Sequence, residues 1–144
     1  MTPPVFVVDT SVVAAGLVTA PTGRTSPVTA VLDAMLSGSI VYLMSPDLLY
    51  EYRSVLLRPK LTRLHGLHPV EVDGVLEELA ANAVWREPAT HSPAPDRGDD
   101  HLWALLASYA GSTLITGDHL LLQSPPTGHS VIAPRTWLDR RRSH

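Results

Sequence analysis

Four carboxylates stand where solubility alone does not explain them: Asp9, Glu51, Asp100 and Asp118. Asp9 closes "PVFVVD" (residues 4–9), an apolar, β-branched run that reads as a buried strand. Asp118 closes "STLITGD" (112–118), a second such run, and Asp100 opens the amphipathic stretch before it. Glu51 lies six residues beyond Ser45, which with Pro46 forms a helix start. An isolated charge at the end of a buried strand is costly unless something compensates it. Carboxylates crowded on one rim also raise one another's pKa values. A hard divalent cation removes both penalties. With no cysteine and no convincing histidine pair, the oxygen-rich set suits Mg²⁺ or Mn²⁺.

Each acid also has a simpler use. Asp9 can cap the helix that follows, helped by Thr10 and Ser11. Asp99 and Asp100 sit at a helix start, where negative charge is favourable by roughly 0.3–1 kcal/mol. Glu51 fits a solvated helix face, and Asp118 can organise the turn at "TGDH". None of these explains the collective pattern of two acids ending strands, one or two starting a helix, and a glutamate on another helix.

The elements that must position these acids follow from hydrophobic periodicity and turn residues. Strands are expected at 4–9, 40–44, 84–87, 112–118 and 130–133. Helices are expected at 11–18, 26–38, 45–57, 69–83, 99–111 and 134–142, with a break at "RPKLTRLHGLHP" (58–69) and a proline-rich loop at 88–98. Strands alternating with helices predict a three-layer α/β/α sandwich around a mainly parallel sheet. Ligands in such sheets bind beyond the carboxyl ends of the strands. Asp9 and Asp118 are therefore expected on one rim. No internal repeat or linker divides the chain, so residues 1–144 read as a single domain.

The absence of cysteine excludes disulfides, thiolate zinc sites and cysteine catalysis, and is compatible with a reducing compartment. No charged-then-apolar leader and no apolar run near the roughly 18 residues of a membrane span are present. The expectation is a soluble, cytoplasmic protein without a membrane partner. A formal charge of -3 argues at first against nucleic acid. Location matters more than the sum: with the four acids set aside, eleven Lys and Arg face ten acids.

Four stretches together resemble PIN-domain nucleases: "VVDTSVV", "SPDLLYEYRSVLLRPKL", "DRGDDHLWALLASYAGSTLITGD" and "APRTWL". The resemblance runs over nearly the whole chain and is nearest the VapC-like toxins of bacterial toxin–antitoxin pairs. It implies a PIN-like fold and a metal site built from Asp9, Glu51, Asp100 and Asp118. Asp9, Asp100 and Asp118 would be ligands, and Glu51 would position a second ion or the attacking water. The 18-residue step from Asp100 to Asp118 matches the family's helix–strand unit, which favours Asp100 over Asp99. Asp96 and Asp99 become outer acids, and the Thr10 and Ser11 hydroxyls support the site while capping the helix. The implied reaction is Mg²⁺- or Mn²⁺-dependent hydrolysis of RNA phosphodiesters, leaving a 5′-phosphate. The implied partners are RNA, a neutralising antitoxin and a second copy of the chain.

Two other functions fit less of the pattern. A catalytically silent PIN-like module would bind RNA or protein without cutting it. An aspartate-nucleophile phosphatase would need a second aspartate two residues after Asp9, where Ser11 stands. For phosphate contacts, Arg53, Arg58, Lys60 and Arg63 lie together, and Arg58 shares the face of Glu51 if that helix persists. Arg140, Arg141 and Arg142 complement the negative end of the last helix. His65 and His68 in "HGLH" are interrupted by Gly66 and followed by Pro69, which disfavours a metal pair. His101 and His119 each follow a proposed site acid and could line the cleft, but read first as surface residues, and Trp103 and Trp137 as packing residues.

Overall fold

Short apolar runs pair into one parallel sheet in the computed structural model, which describes residues 2–143. The strands are β1 (Val5–Val8), β2 (Val41–Met44), β3 (Val84–Trp85), β4 (Thr113–Ile115) and β5 (Ser130–Ile132), in the order β3-β2-β1-β4-β5. Every pairing is parallel. The helices are α1 (Thr10–Thr19), α2 (Pro27–Leu36), α3 (Pro46–Leu56), α4 (Pro59–His65), α5 (Pro69–Asn82), α6 (Asp100–Ala107), α7 (His119–Gln123) and α8 (Pro134–Arg142). Together they form a three-layer α/β/α sandwich. Val7 and Val8 are fully buried, as a strand covered on both faces requires.

Thirteen prolines would be disruptive inside helices, yet five of them open one. A proline in the first turn gives up an N–H that has no intrahelical partner anyway. Pro59 also explains the main departure from the expected elements. Residues 58–69 do not form an irregular break: α3 ends at Leu56, and Pro59 starts a new helix that Gly66 closes at φ 71°. The five-residue α7 is a further helix that sequence periodicity is too short to reveal. On α6, Leu102, Leu105 and Leu106 are buried as expected, whereas Tyr109 lies beyond its end and is exposed.

Among the described residues, the buried side-chain polar atoms are paired except His101 Nδ1. His65 accepts the Leu67 N–H at Nδ1 (3.0 Å), which leaves Nε2–H to donate to the Leu56 carbonyl (2.9 Å). The "HGLH" histidine therefore ties α3 to α4 and is not a metal ligand. Gly16 on α1 allows α2 a close approach, since a Cβ there would lie 3.0 Å from both Leu32 Cβ and the Val28 carbonyl oxygen. Trp103 and Trp137 are buried packing residues.

Tyr52 anchors α3 to the sheet: it is fully buried, and its hydroxyl donates to the Val8 carbonyl at 2.5 Å. Tyr52→Phe is expected to lower stability by about 1–3 kcal/mol, because the ring still fills its space while a buried acceptor loses its donor. Urea unfolding checks this, with a drop in midpoint and no change in slope.

The strand order puts a topological switch point between β1 and β4. From β1 the sheet grows first toward β2 and β3, then in the other direction toward β4 and β5. The crevice beyond the carboxyl ends of β1 and β4 is where doubly wound sheets bind ligands.

Candidate active site

Asp9 follows β1 directly into that crevice. Its N–H donates to the Ile115 carbonyl (3.0 Å), so the backbone is still held by the β4 ladder. Only 7% of the residue is exposed. Its Oδ2 accepts from the Thr116 hydroxyl at 2.7 Å and more weakly from Ser11 at 3.3 Å. Asp9 occupies the position before α1 but makes no capping hydrogen bond, so the helix-cap use is not realised. Burial pushes its carboxyl up, the Thr116 bond opposes this, and the Glu51 charge adds to the rise.

Glu51 reaches the same crevice because Leu48, Tyr52 and Leu56 turn the opposite side of α3 into the core. Both its oxygens are held. Oε1 accepts from Thr10, the first residue of α1, and Oε2 lies 2.8 Å from His101 Nε2 on α6. The His101 bond holds the Glu51 carboxyl below its ordinary value against the opposing effect of burial, and Arg58 contributes from its charge. Burial alone would pull His101 down, but its bond to Glu51 and the acid's charge raise it overall. His101 Nδ1 is buried and finds no partner among the described residues. His101 is thus a site residue, not the surface residue expected. Its position two residues into a helix opened by paired acids was the available signal.

The two adjacent aspartates part company. Asp100 Oδ1 accepts the Ala94 N–H at 2.9 Å, which fastens the proline-rich loop to the start of α6. Asp99 precedes α6 without capping it. Its carboxyl is pushed up to about 6, first by burial and then by the charges of Asp9, Asp96, Asp118 and Glu51. The Asp99 carboxyl therefore feels the other acids, although the 18-residue spacing favours Asp100. Asp96 accepts from Gly98 N–H (2.9 Å) and organises the turn Arg97–Asp99.

Asp118 combines two uses. Its Oδ1 accepts the Leu120 N–H (2.9 Å) and starts α7, which is the turn-organising use the sequence allows. It also lines a cavity of about 300 Å³ together with Asp9. Thr116 joins them: its hydroxyl donates to Asp9 and accepts the Asp118 N–H at 3.0 Å. Sequence reading missed Thr116. Its signal is a hydroxyl residue ending the strand that pairs with β1.

Of the cations expected to meet phosphate, Arg53 is engaged elsewhere, with Nε 2.9 Å from Asp73 Oδ1 on α5. Arg58 no longer shares a continuous helix with Glu51, yet it stays near enough to favour that carboxylate's charge. Lys60 and Arg63 lie on α4 and make no ion pair among the described residues.

Among the described residues, no three acidic or histidine side chains converge closely enough to hold one ion as they stand. The chemistry of the donors nevertheless fits a hard divalent cation. They are carboxylate and hydroxyl oxygens, and Asp99 is a carboxyl whose charge is opposed by four neighbouring acids. A cation among them would turn that repulsion into attraction.

The family profile described as PIN domain matches residues 5–120, a span that includes Asp9, Glu51, Asp99, Asp100 and Asp118. No curated protein and no solved structure matches the chain.

Proposed function

The chain belongs to the PIN domain family, a nuclease-type fold, and from that premise we propose that it is a metal-dependent ribonuclease acting in the cytoplasm. The observation that carries the proposal is the gathering of acids at the switch point, with Asp99 pushed up to about 6 by burial and by its acidic neighbours. In this reading Asp9, Asp99 and Asp118 hold Mg²⁺ or Mn²⁺, and Asp100 fastens the proline-rich loop to the start of α6. The bound cation supplies charge stabilisation at the scissile phosphate and activation of water.

The remaining work falls to the chain's own residues. Thr10 and His101 fix both oxygens of Glu51, leaving lone pairs to orient the attacking water. A carboxylate held below its ordinary pKa is a poor proton acceptor near neutrality, so Glu51 acts by positioning the water rather than by deprotonating it. Thr116 and Ser11 hold Asp9 in one orientation. The water oxygen bonds to phosphorus as the P–O3′ bond breaks, giving a 5′-phosphate and a 3′-hydroxyl that takes up the proton.

The resemblance to VapC-like toxins supports a finer role as the toxin of a toxin–antitoxin pair. A neutralising antitoxin and a second copy of the chain would then be its partners.

Cleavage of a mixed pool of structured and single-stranded RNA tests the activity, with Mg²⁺, with Mn²⁺ and with chelator. Cuts in either metal that vanish in chelator support the ribonuclease. No cuts in any condition would leave an RNA- or protein-binding PIN module. The two arginines separate in a binding assay at several salt concentrations. Arg58→Ala is expected to weaken RNA binding across sequences and to reduce the salt slope by about 1. Arg53→Ala is expected to change neither, because its guanidinium is already paired with Asp73.

A further inference from the structure

The cavity beside Asp9 and Asp118 is walled by Val12 and Ala15 of α1, Val28 of α2 and Pro134 of α8. We propose that this slot is a nucleobase subsite, which takes the base of the nucleotide adjoining the scissile phosphate. The proposal rests on the ribonuclease reading and adds the residues that grip the substrate beside the cut.

Charge decides the occupant. No cationic side chain lines the slot, so beyond the metal that Asp9 and Asp118 would hold a phosphate has nothing to meet there. Apolar walls suit the uncharged faces of a heterocycle, which every base presents. Arg58 lies near enough to Glu51 to favour its charge, and it is the cation that a backbone phosphate would seek. The strand's backbone therefore leaves toward Arg58 while one base turns into the slot. A volume of about 300 Å³ is at the low end of the ~300–1,000 Å³ typical of small-ligand sites. That leaves room for a single heterocycle and none for a duplex.

Small residues keep the slot open. Ala15 is half-buried at its wall, and a Cβ at exposed Gly117 would meet no atom within 4 Å. Farther along, α2 and α8 frame a polar cavity of about 390 Å³ lined by Thr25, Ser26 and Asp33 on one side and Arg135 and Arg142 on the other.

The test measures binding without cleavage. Glu51→Gln protein, whose slot lining is intact, is titrated in Mg²⁺ against a short labelled single-stranded RNA. The same RNA is then made with one abasic site at each position in turn. One abasic position is expected to weaken binding roughly tenfold, the scale of losing one base contact. Ala15→Leu and Gly117→Leu, each filling the slot, are expected to bring intact RNA to the abasic affinity and to leave abasic RNA unchanged. Gly117→Leu keeps the test open if Ala15→Leu fails to fold. Affinity that is indifferent to every abasic position, or to both filling substitutions, overturns the subsite. The ribonuclease reading fails separately, if wild-type protein cuts no RNA in Mg²⁺ or Mn²⁺ while the base dependence persists.

Discussion

Asp9→Asn is expected to lower metal-dependent RNA cleavage by at least ~100-fold, the scale of removing one group that organises charge in a transition state. The substitution changes one oxygen to an amide and almost no volume. Thr116 and Ser11 can still donate to the remaining oxygen, so the local geometry has no reason to collapse. Removing a buried charge that burial and Glu51 both disfavour leaves the metal-free protein at least as stable as before. The effect should appear instead in the response to metal. Wild-type protein in Mn²⁺ at 100 times its Kd gains about 2.7 kcal/mol. For a chain of this size that is a rise in Tm of roughly 5–10 °C. The variant should show little of that rise, and chelator should cancel it in wild type. A variant that melts normally, ignores Mn²⁺ and cuts nothing places Asp9 in the site. Undiminished cleavage would remove it.

Asp99→Asn gives the second large effect and separates the paired aspartates. The Asp99 carboxyl is raised to about 6 in the folded chain against 3.8 for a free side chain. Between those values the folded state keeps a proton that the unfolded state has released. Stability from this group is therefore fully present below about pH 4 and is lost as pH rises through about 6. Glu51, held below its ordinary value, works in the opposite sense, but only at pH below 4.5. Metal-free wild-type protein should accordingly melt at a lower temperature at pH 7 than at pH 5. Asp9 and His101 are raised as well and add to that fall. Asp99→Asn should therefore lessen it, melt higher than wild type at pH 7, and lose most of the Mn²⁺ stabilisation along with cleavage. Asp100→Asn keeps an oxygen for the Ala94 N–H and should retain both metal response and activity within a few-fold. The reverse ranking would return the ligand role to Asp100.

The sequence by itself determined the architecture and singled out most of the candidate site residues. Period and turn chemistry suffice for alternating strands and helices, since each apolar run has only one way to hide its surface. The order of Asp9, Glu51 and Asp118 along that alternation, ending strands or following a helix cap, already pointed to one rim. Three features came only from tertiary structure. Whether Asp99 or Asp100 faces the other acids depends on how the turn Arg97–Asp99 leads into α6, and a one-residue step on a helix rotates a side chain by about 100°. His101 and Thr116 became site residues because α6 and β4 bring them beside Glu51 and Asp9, 50 and 107 positions away. Arg53 is paired with Asp73 on a different helix, while Arg58 stays near Glu51 although Pro59 starts a new helix. Local pattern fixes which face of an element is apolar, but which charges meet is decided by how elements pack, and packing couples residues that no local pattern relates.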